Sequence, residues 1–156
     1  MRSRFLVLLT GLALSAALLA PTGVFATDTE TIHVSDTDVQ ADVNPCSGAT
    51  GTLTFAFSGV VHITALDNGT FHETSTVQGT FTFVPDDPSQ PTYSGHATFW
   101  DGENENSKNF TATFTGNIVL RGSDGSRITD HARFHITVNA KGTVTSFIDA
   151  ERLTCP

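Results

Sequence analysis

Three long stretches of this chain alternate apolar and polar side chains residue by residue, and that period of two restricts the fold more than any other feature. From Leu53 to Ala65 the odd positions read Leu53, Phe55, Phe57, Gly59, Val61, Ile63 and Ala65, against mostly polar neighbours such as Thr54, Ser58, His62 and Thr64. From Phe110 to Leu120 the even positions carry Phe110, Ala112, Phe114, Ile118 and Leu120, against Thr111, Thr113, Thr115 and Asn117. From Ile128 to Val138 they are Ile128, Asp130, Ala132, Phe134, Ile136 and Val138. A strand sends successive side chains to opposite faces, so this is the signature of a sheet buried on one side. No segment beyond residue 26 sustains the i, i+3, i+4 spacing of an amphipathic helix. Threonine fills most polar positions; its branched side chain suits a pleated, solvated surface.

The turns fix how the strands pair. Asp67-Asn68-Gly69, Ser123-Asp124-Gly125 and Ala140-Lys141-Gly142 each end in glycine. A three-residue hairpin loop needs a left-handed last residue, which glycine supplies without steric cost. A two-residue loop at Asn68-Gly69 would set the apolar face of one strand against the polar face of the next, so the three-residue register is expected. It pairs Ala65 with Phe71, Phe55 with Phe81 and Leu53 with Phe83. In the last hairpin the same rule sets Val138 opposite Val144 and Phe134 opposite Ile148. It also sets Arg133 opposite Asp149, Asp130 opposite Arg152 and His131 opposite Glu151. Opposite charges facing each other across strands contribute roughly 0.2–1 kcal/mol each.

The resulting map has strands at 52–66, 70–84, 92–100, 109–121, 127–139 and 143–154, with a proline-rich loop at 85–91 and an acidic loop at 101–108. Residues 27–43 read as an acidic lead-in with room for one short strand near Thr31–Val34. The fold class is all-β: an antiparallel up-and-down meander of about seven to eight strands, with a closed barrel favoured over a two-layer sandwich. Gly59, Gly79, Gly95 and Gly116, inside strands, would permit the bends that closure needs.

Residues 1–26 have the form of a secretory signal peptide: Arg2 and Arg4, an apolar run from Phe5 to Ala20, and Val24-Phe25-Ala26 as the cleavage site. The apolar run is shorter than the roughly 20 residues a membrane-spanning helix requires. Only two cysteines occur, Cys46 and Cys155, near the two ends of the region 44–156. In an oxidising compartment they read as one disulfide that clamps a single domain. Beyond residue 26, six basic residues stand against sixteen acidic ones. Duplex nucleic acid and anionic membranes are bound through Lys and Arg, so neither is expected as a partner. The basic residues Lys108, Arg121, Arg127, Arg133, Lys141 and Arg152 form no run.

No cofactor, metal or catalytic motif emerges. His62, His72, His96, His131 and His135 fall on polar strand positions, and His131 and His135 would stand about 13 Å apart along one strand, too far to share an ion. Asp36-Thr37-Asp38 with Asp42, and Asp101 to Glu105, supply oxygen ligands but lack the glycine and glutamate positions of an EF-hand loop. There is no G-x-S-x-G elbow and no H-E-x-x-H helix. Asn44-Pro45-Cys46-Ser47-Gly48, together with the stretch from Phe134 to Thr145 that leads to Cys155, resembles a family of small uncharacterised secreted proteins of Gram-positive actinobacteria. These carry an N-P-C-x-G motif and a late F-x-x-T-V-N-A-x-G-x-V-T hairpin; Gly59 and His62 match a G-x-x-H that follows the first cysteine. The resemblance implies secretion and the fold, and no site residue.

The expected function is therefore that of a secreted, extracellular, non-enzymatic binding or surface-interaction module. The alternatives are a lipocalin-like carrier of a small apolar ligand and, third, a barrel enzyme. Nine phenylalanines on the apolar face are expected to fill the interior.

Overall fold

The three glycine turns close as three-residue loops. Gly69, Gly125 and Gly142 have φ of 78°, 87° and 74°. Each amide donates to the carbonyl that starts its loop, as in Gly69 N to Leu66 O at 3.0 Å. In the computed structural model, which describes residues 27–156, these loops help join seven strands: β1 (Asp28–Val43), β2 (Thr50–Ala65), β3 (Phe71–Pro85), β4 (Tyr93–Glu105), β5 (Asn109–Gly122), β6 (Arg127–Asn139) and β7 (Val144–Thr154). They form one antiparallel sheet in chain order. The expected pairs Ala65–Phe71, Phe55–Phe81 and Leu53–Phe83 all occur. The signal peptide expected at residues 1–26 lies outside the described residues.

The sheet is rolled but not closed, which corrects the expected barrel. β1 and β7 remain edges, with no ladder between them. Their inward-facing side chains explain it. β1 turns Asp36, Asp38 and Asp42 to the same face as Phe57, Phe55 and Gly51, and β7 turns Asp149 and Glu151 to the face of Phe134 and Ala132. Joining these edges would bring like charges together in an interior, and inward-pointing charge is a known protection of sheet edges.

β1 is also longer than expected. The region read as a lead-in with at most a short strand is a 16-residue strand paired along the whole of β2. Its acidic positions break the apolar alternation that would have marked it. The acidic loop expected at 101–108 shrinks in the same way, because β4 continues through Asp101, Glu103 and Glu105 to a tight turn at 106–108.

The core occupies the end of the sheet that carries the disulfide. Leu53, Phe81, Phe83, Tyr93, Ala97, Phe99, Ile118, Leu120 and Ile128 are all buried there. Phe55 stacks on Phe81 with ring centroids 4.2 Å apart and meets Phe99 edge-on at 5.9 Å. Cys46 and Cys155 are bonded, with Cα atoms 5.5 Å apart, and tie the β1–β2 turn to the end of β7. Asn44 builds that turn: its Oδ1 accepts from Cys46 N at 2.9 Å and Ser47 N at 3.2 Å, while Gly48 takes φ 77°. The Asn, Cys and Gly of the N-P-C-x-G motif thus have structural roles. Strong coiling of the sheet is possible because a Cβ at Gly79 or Gly95 would run into the carbonyl oxygen of Ala56 or Val119 on the neighbouring strand. The core leaves a cavity of about 20 Å³, room for about one water. Of the nine phenylalanines expected to fill the interior, Phe81, Phe83 and Phe99 are buried and Phe55 and Phe114 pack against them. Phe57, Phe71, Phe110 and Phe134 are only partly buried, because only the disulfide end of the sheet is packed.

The last hairpin departs from its expected register. Val138 faces Val144 as the glycine loop requires, but Thr137 faces Ser146, so Thr145 is an extra residue in β7. Beyond this bulge every pair is displaced by one: Phe134 faces Asp149, Arg133 faces Ala150 and His131 faces Arg152. The loop reading of Gly142 holds, and the bulge after it overturns the three expected charge pairs. A one-residue slip reverses the face of every side chain beyond it.

Candidate functional site on the outer face

The pairing register divides the charged side chains completely between the two faces of the sheet. Of the sixteen carboxylates, Asp67, Asp86, Asp87 and Asp124 lie in loops. The other twelve all lie on strands and share the inner, concave face with the core. The four strand arginines and all six histidines lie on the outer face.

On the inner face, acidic groups gather away from the disulfide. Glu73 stands opposite Glu103, and Ser75 opposite Asp101, whose Oδ1 accepts the serine hydroxyl. Burial, then the neighbouring carboxylates, hold both Glu73 and Glu103 above the usual range. Asp130 borders the core cavity with Oδ1 unpartnered, and burial followed by the Glu151 carboxylate pushes it up to about 6. These groups lie on strands rather than in binding loops. Among the described residues no three His, Cys, Asp or Glu side chains converge as a metal site.

The outer face is built differently. Its central feature is Trp100, the only tryptophan of the chain, 41% exposed in the middle of β4. The ring lies along the strand over Gly102: a Cβ there would stand 2.9 Å from Trp100 Cη2 and 3.1 Å from Cζ2. The missing side chain at 102 thus leaves the indole room to lie against the sheet. Thr76 and Thr115 flank Trp100 on the neighbouring strands.

Towards β1 the surface dips into an open depression of about 790 Å³, whose outer-face lining includes Ser35, Thr37, Ser58, Gln78, Thr80, His96 and Thr98. Hydroxyl, amide and imidazole groups of this kind both donate and accept. Towards β7 the surface is cationic. Arg121 faces Arg127, His131 faces Arg152, and Arg133 lies between His131 and His135 along β6. Hydrogen bonds across and along the strands order this side. His131 Nδ1 bonds Asn117 Oδ1 at 3.0 Å, and His135 bonds Thr113 at 2.9 Å and Thr137 at 3.2 Å.

The polar positions of His62, His72, His96, His131 and His135 are as expected, and His62 faces Thr74 while His72 faces Thr64. Sequence reasoning missed the convergence of the arginines, which look scattered along the chain. Their parity relative to the alternation carried that signal on β5 and β6. It also missed Trp100, whose place among the polar positions of 94–104 was legible. Comparison with protein-family models, with characterised proteins and with solved structures returns no match.

Proposed function

We propose that this protein is a secreted, non-enzymatic carbohydrate-binding module that takes polysaccharide on the outer face of its sheet. The observation that carries this reading is Trp100. It is a flat, exposed indole set among hydroxyl, amide and imidazole groups, on a face whose strands carry no carboxylate. A sugar ring has a C–H face and a rim of hydroxyls. An indole offers the first a flat, electron-rich plate, and the depression beside it offers the second a series of donors and acceptors.

A protein-binding face would have an apolar centre. Here the exposed apolar residues of the outer face are spread over several strands, with Val39 and Val43 on β1, Val84 on β3, Val119 on β5 and Ile148 on β7. Scattered exposed apolar residues are ordinary. The apolar carrier is less favoured because the core cavity is far below the roughly 300 Å³ at which ligand pockets begin. The disulfide fits an oxidising, extracellular setting.

Trp100 also provides the assay, since the intrinsic tryptophan fluorescence of residues 27–156 reports on this residue alone. Titration with soluble polysaccharides should shift or quench it. Trp100→Ala, followed by affinity electrophoresis in gels containing the same polysaccharides, should weaken binding by about tenfold or more with an unchanged melting temperature. Binding that survives Trp100→Ala at full strength overturns the proposal.

A further inference from the structure

We infer that the ligand is an anionic polysaccharide, held by its charged groups on the arginines of β5, β6 and β7; this rests on the carbohydrate reading above. The argument starts from the bulge at Thr145. In an unbulged hairpin Asp149 would face Arg133 and Glu151 would face His131. The bulge turns both carboxylates to the inner face and leaves Arg133 opposite Ala150 and Arg152 opposite His131.

Arg121 and Arg127 are directly opposed, an arrangement that costs stability unless an anion lies between or above them. Asp124, the carboxylate of the adjoining turn, is engaged by Ser126 N at 3.0 Å. All four arginines are exposed. A folded protein with an excess of acid thus places its strand guanidinium groups together and turns the strand carboxylates away from them.

The geometry suits a chain-like ligand. Arg133 lies in the same cross-strand row as Trp100, separated by Thr115, so the two backbone positions are about 10 Å apart across the sheet. Alternate residues along β6 repeat at about 6.8 Å, which presents His131, Arg133 and His135 as a ladder. A sugar stacked on Trp100 would direct its neighbours in the polymer over this ladder. Guanidinium groups bind carboxylate, sulfate or phosphate through paired hydrogen bonds. The net negative charge does not forbid this, because the strand carboxylates point to the opposite face and exposed charges more than about 8 Å apart are largely screened at physiological salt.

The test uses the chain from residue 27 onward, with its disulfide intact, and four probes: dextran, dextran sulfate, polygalacturonate and poly-glutamate. Dextran sulfate and polygalacturonate separate sulfate from carboxylate ligands, and poly-glutamate is a polyanion without sugar rings. Tighter binding of at least one anionic polysaccharide than of dextran and of poly-glutamate is expected. It should weaken by about tenfold or more in Arg133→Gln/Arg152→Gln, while weak dextran binding stays unchanged. Arg121→Gln/Arg127→Gln, at a separate position on the strip, is expected to reduce it as well.

Equal affinity for dextran and both charged polysaccharides, untouched by either double variant, overturns the anionic preference and leaves the carbohydrate reading standing. Poly-glutamate bound as tightly as the sugars, with Trp100→Ala without effect, overturns both. Circular dichroism melts of each variant, expected at or above the melting temperature of the parent, separate loss of binding from loss of fold.

Discussion

The two ends of this sheet are made from the same strands, yet one is a core and the other is not. Near the disulfide, inward positions from β2 to β6 are filled by buried Leu53, Phe83, Tyr93, Leu120 and Ile128. At the opposite end the same face carries Ile63, Glu73, Glu103, Ala112, Ile136 and Phe147 in one continuous row, none of them buried, and Phe147 is 58% exposed. Alternation alone does not make a core. The sheet must also curl enough for its inward face to meet itself, and here the cross-link and the apolar rows act at one end only. Carboxylates interrupt the apolar rows at the other.

The largest expected effect comes from opening the disulfide end. Cys46→Ser with Cys155→Ser frees a loop with a separation of 109 residues, for which the chain-entropy estimate is about 4–5 kcal/mol, an upper figure. Denaturant unfolding should show the loss. Amide exchange in the described residues should also show the protection of β2, β3 and β5 at that end falling to the level of the open end. If the two ends exchange alike before the bridge is removed, the contrast drawn here fails.

Core truncation sharpens the comparison at single-residue scale. Leu53→Ala should cost about 2–5 kcal/mol. Phe147→Ala, on the same face at the open edge, should cost less than about 1 kcal/mol, even though it removes the larger side chain and the edge-on contact with Phe134 at 5.9 Å. Comparable losses at both sites would mean that the open end is packed as well.

A smaller effect should follow pH. The Asp130 carboxyl is raised from 3.8 to about 6 in the folded protein, so between those values the folded state holds a proton that the unfolded state has released. Stability must then fall as pH rises from about 4 to about 6. Glu73 and Glu103, both raised, act in the same direction. Asp130→Asn should flatten the slope and raise stability at pH 7 by about 1–2 kcal/mol, measured by urea unfolding at several pH values. An unchanged slope would show that the buried carboxyl is not its source.

Much of this was legible in the residues. The period of two assigned every long strand except the acidic parts, and the glycines fixed the loops. Asp36, Asp38 and Asp42, and likewise Asp101, Glu103 and Glu105, sit on strand positions that face inward, where composition argues for a loop. Their strand state comes from backbone pairing with β2, β3 and β5, which is indifferent to the side chain. The parity of Trp100, Arg121, Arg127 and Arg133 against the alternation of β4, β5 and β6 implies an outward placement that sequence reasoning missed, and their convergence into one surface depends on neighbouring strands lying in register.

What the sequence determined by itself, then, is what depends on apolar alternation along the chain or on one tight turn: the identity of β2, β3, β5, β6 and β7, the three glycine loops and the order of pairing. The strand state of β1 and of residues 101–105 came instead from backbone pairing. Two further matters were decided only in three dimensions. One is closure, because whether β1 and β7 can join depends on carboxylates at opposite ends of the chain being forced to share an interior. The other is the face of β7, where one inserted residue, Thr145, exchanges the inward and outward sets at a cost set by all the contacts beyond it. That exchange turns Asp149 away from Arg133 and leaves the arginine exposed on the outer face.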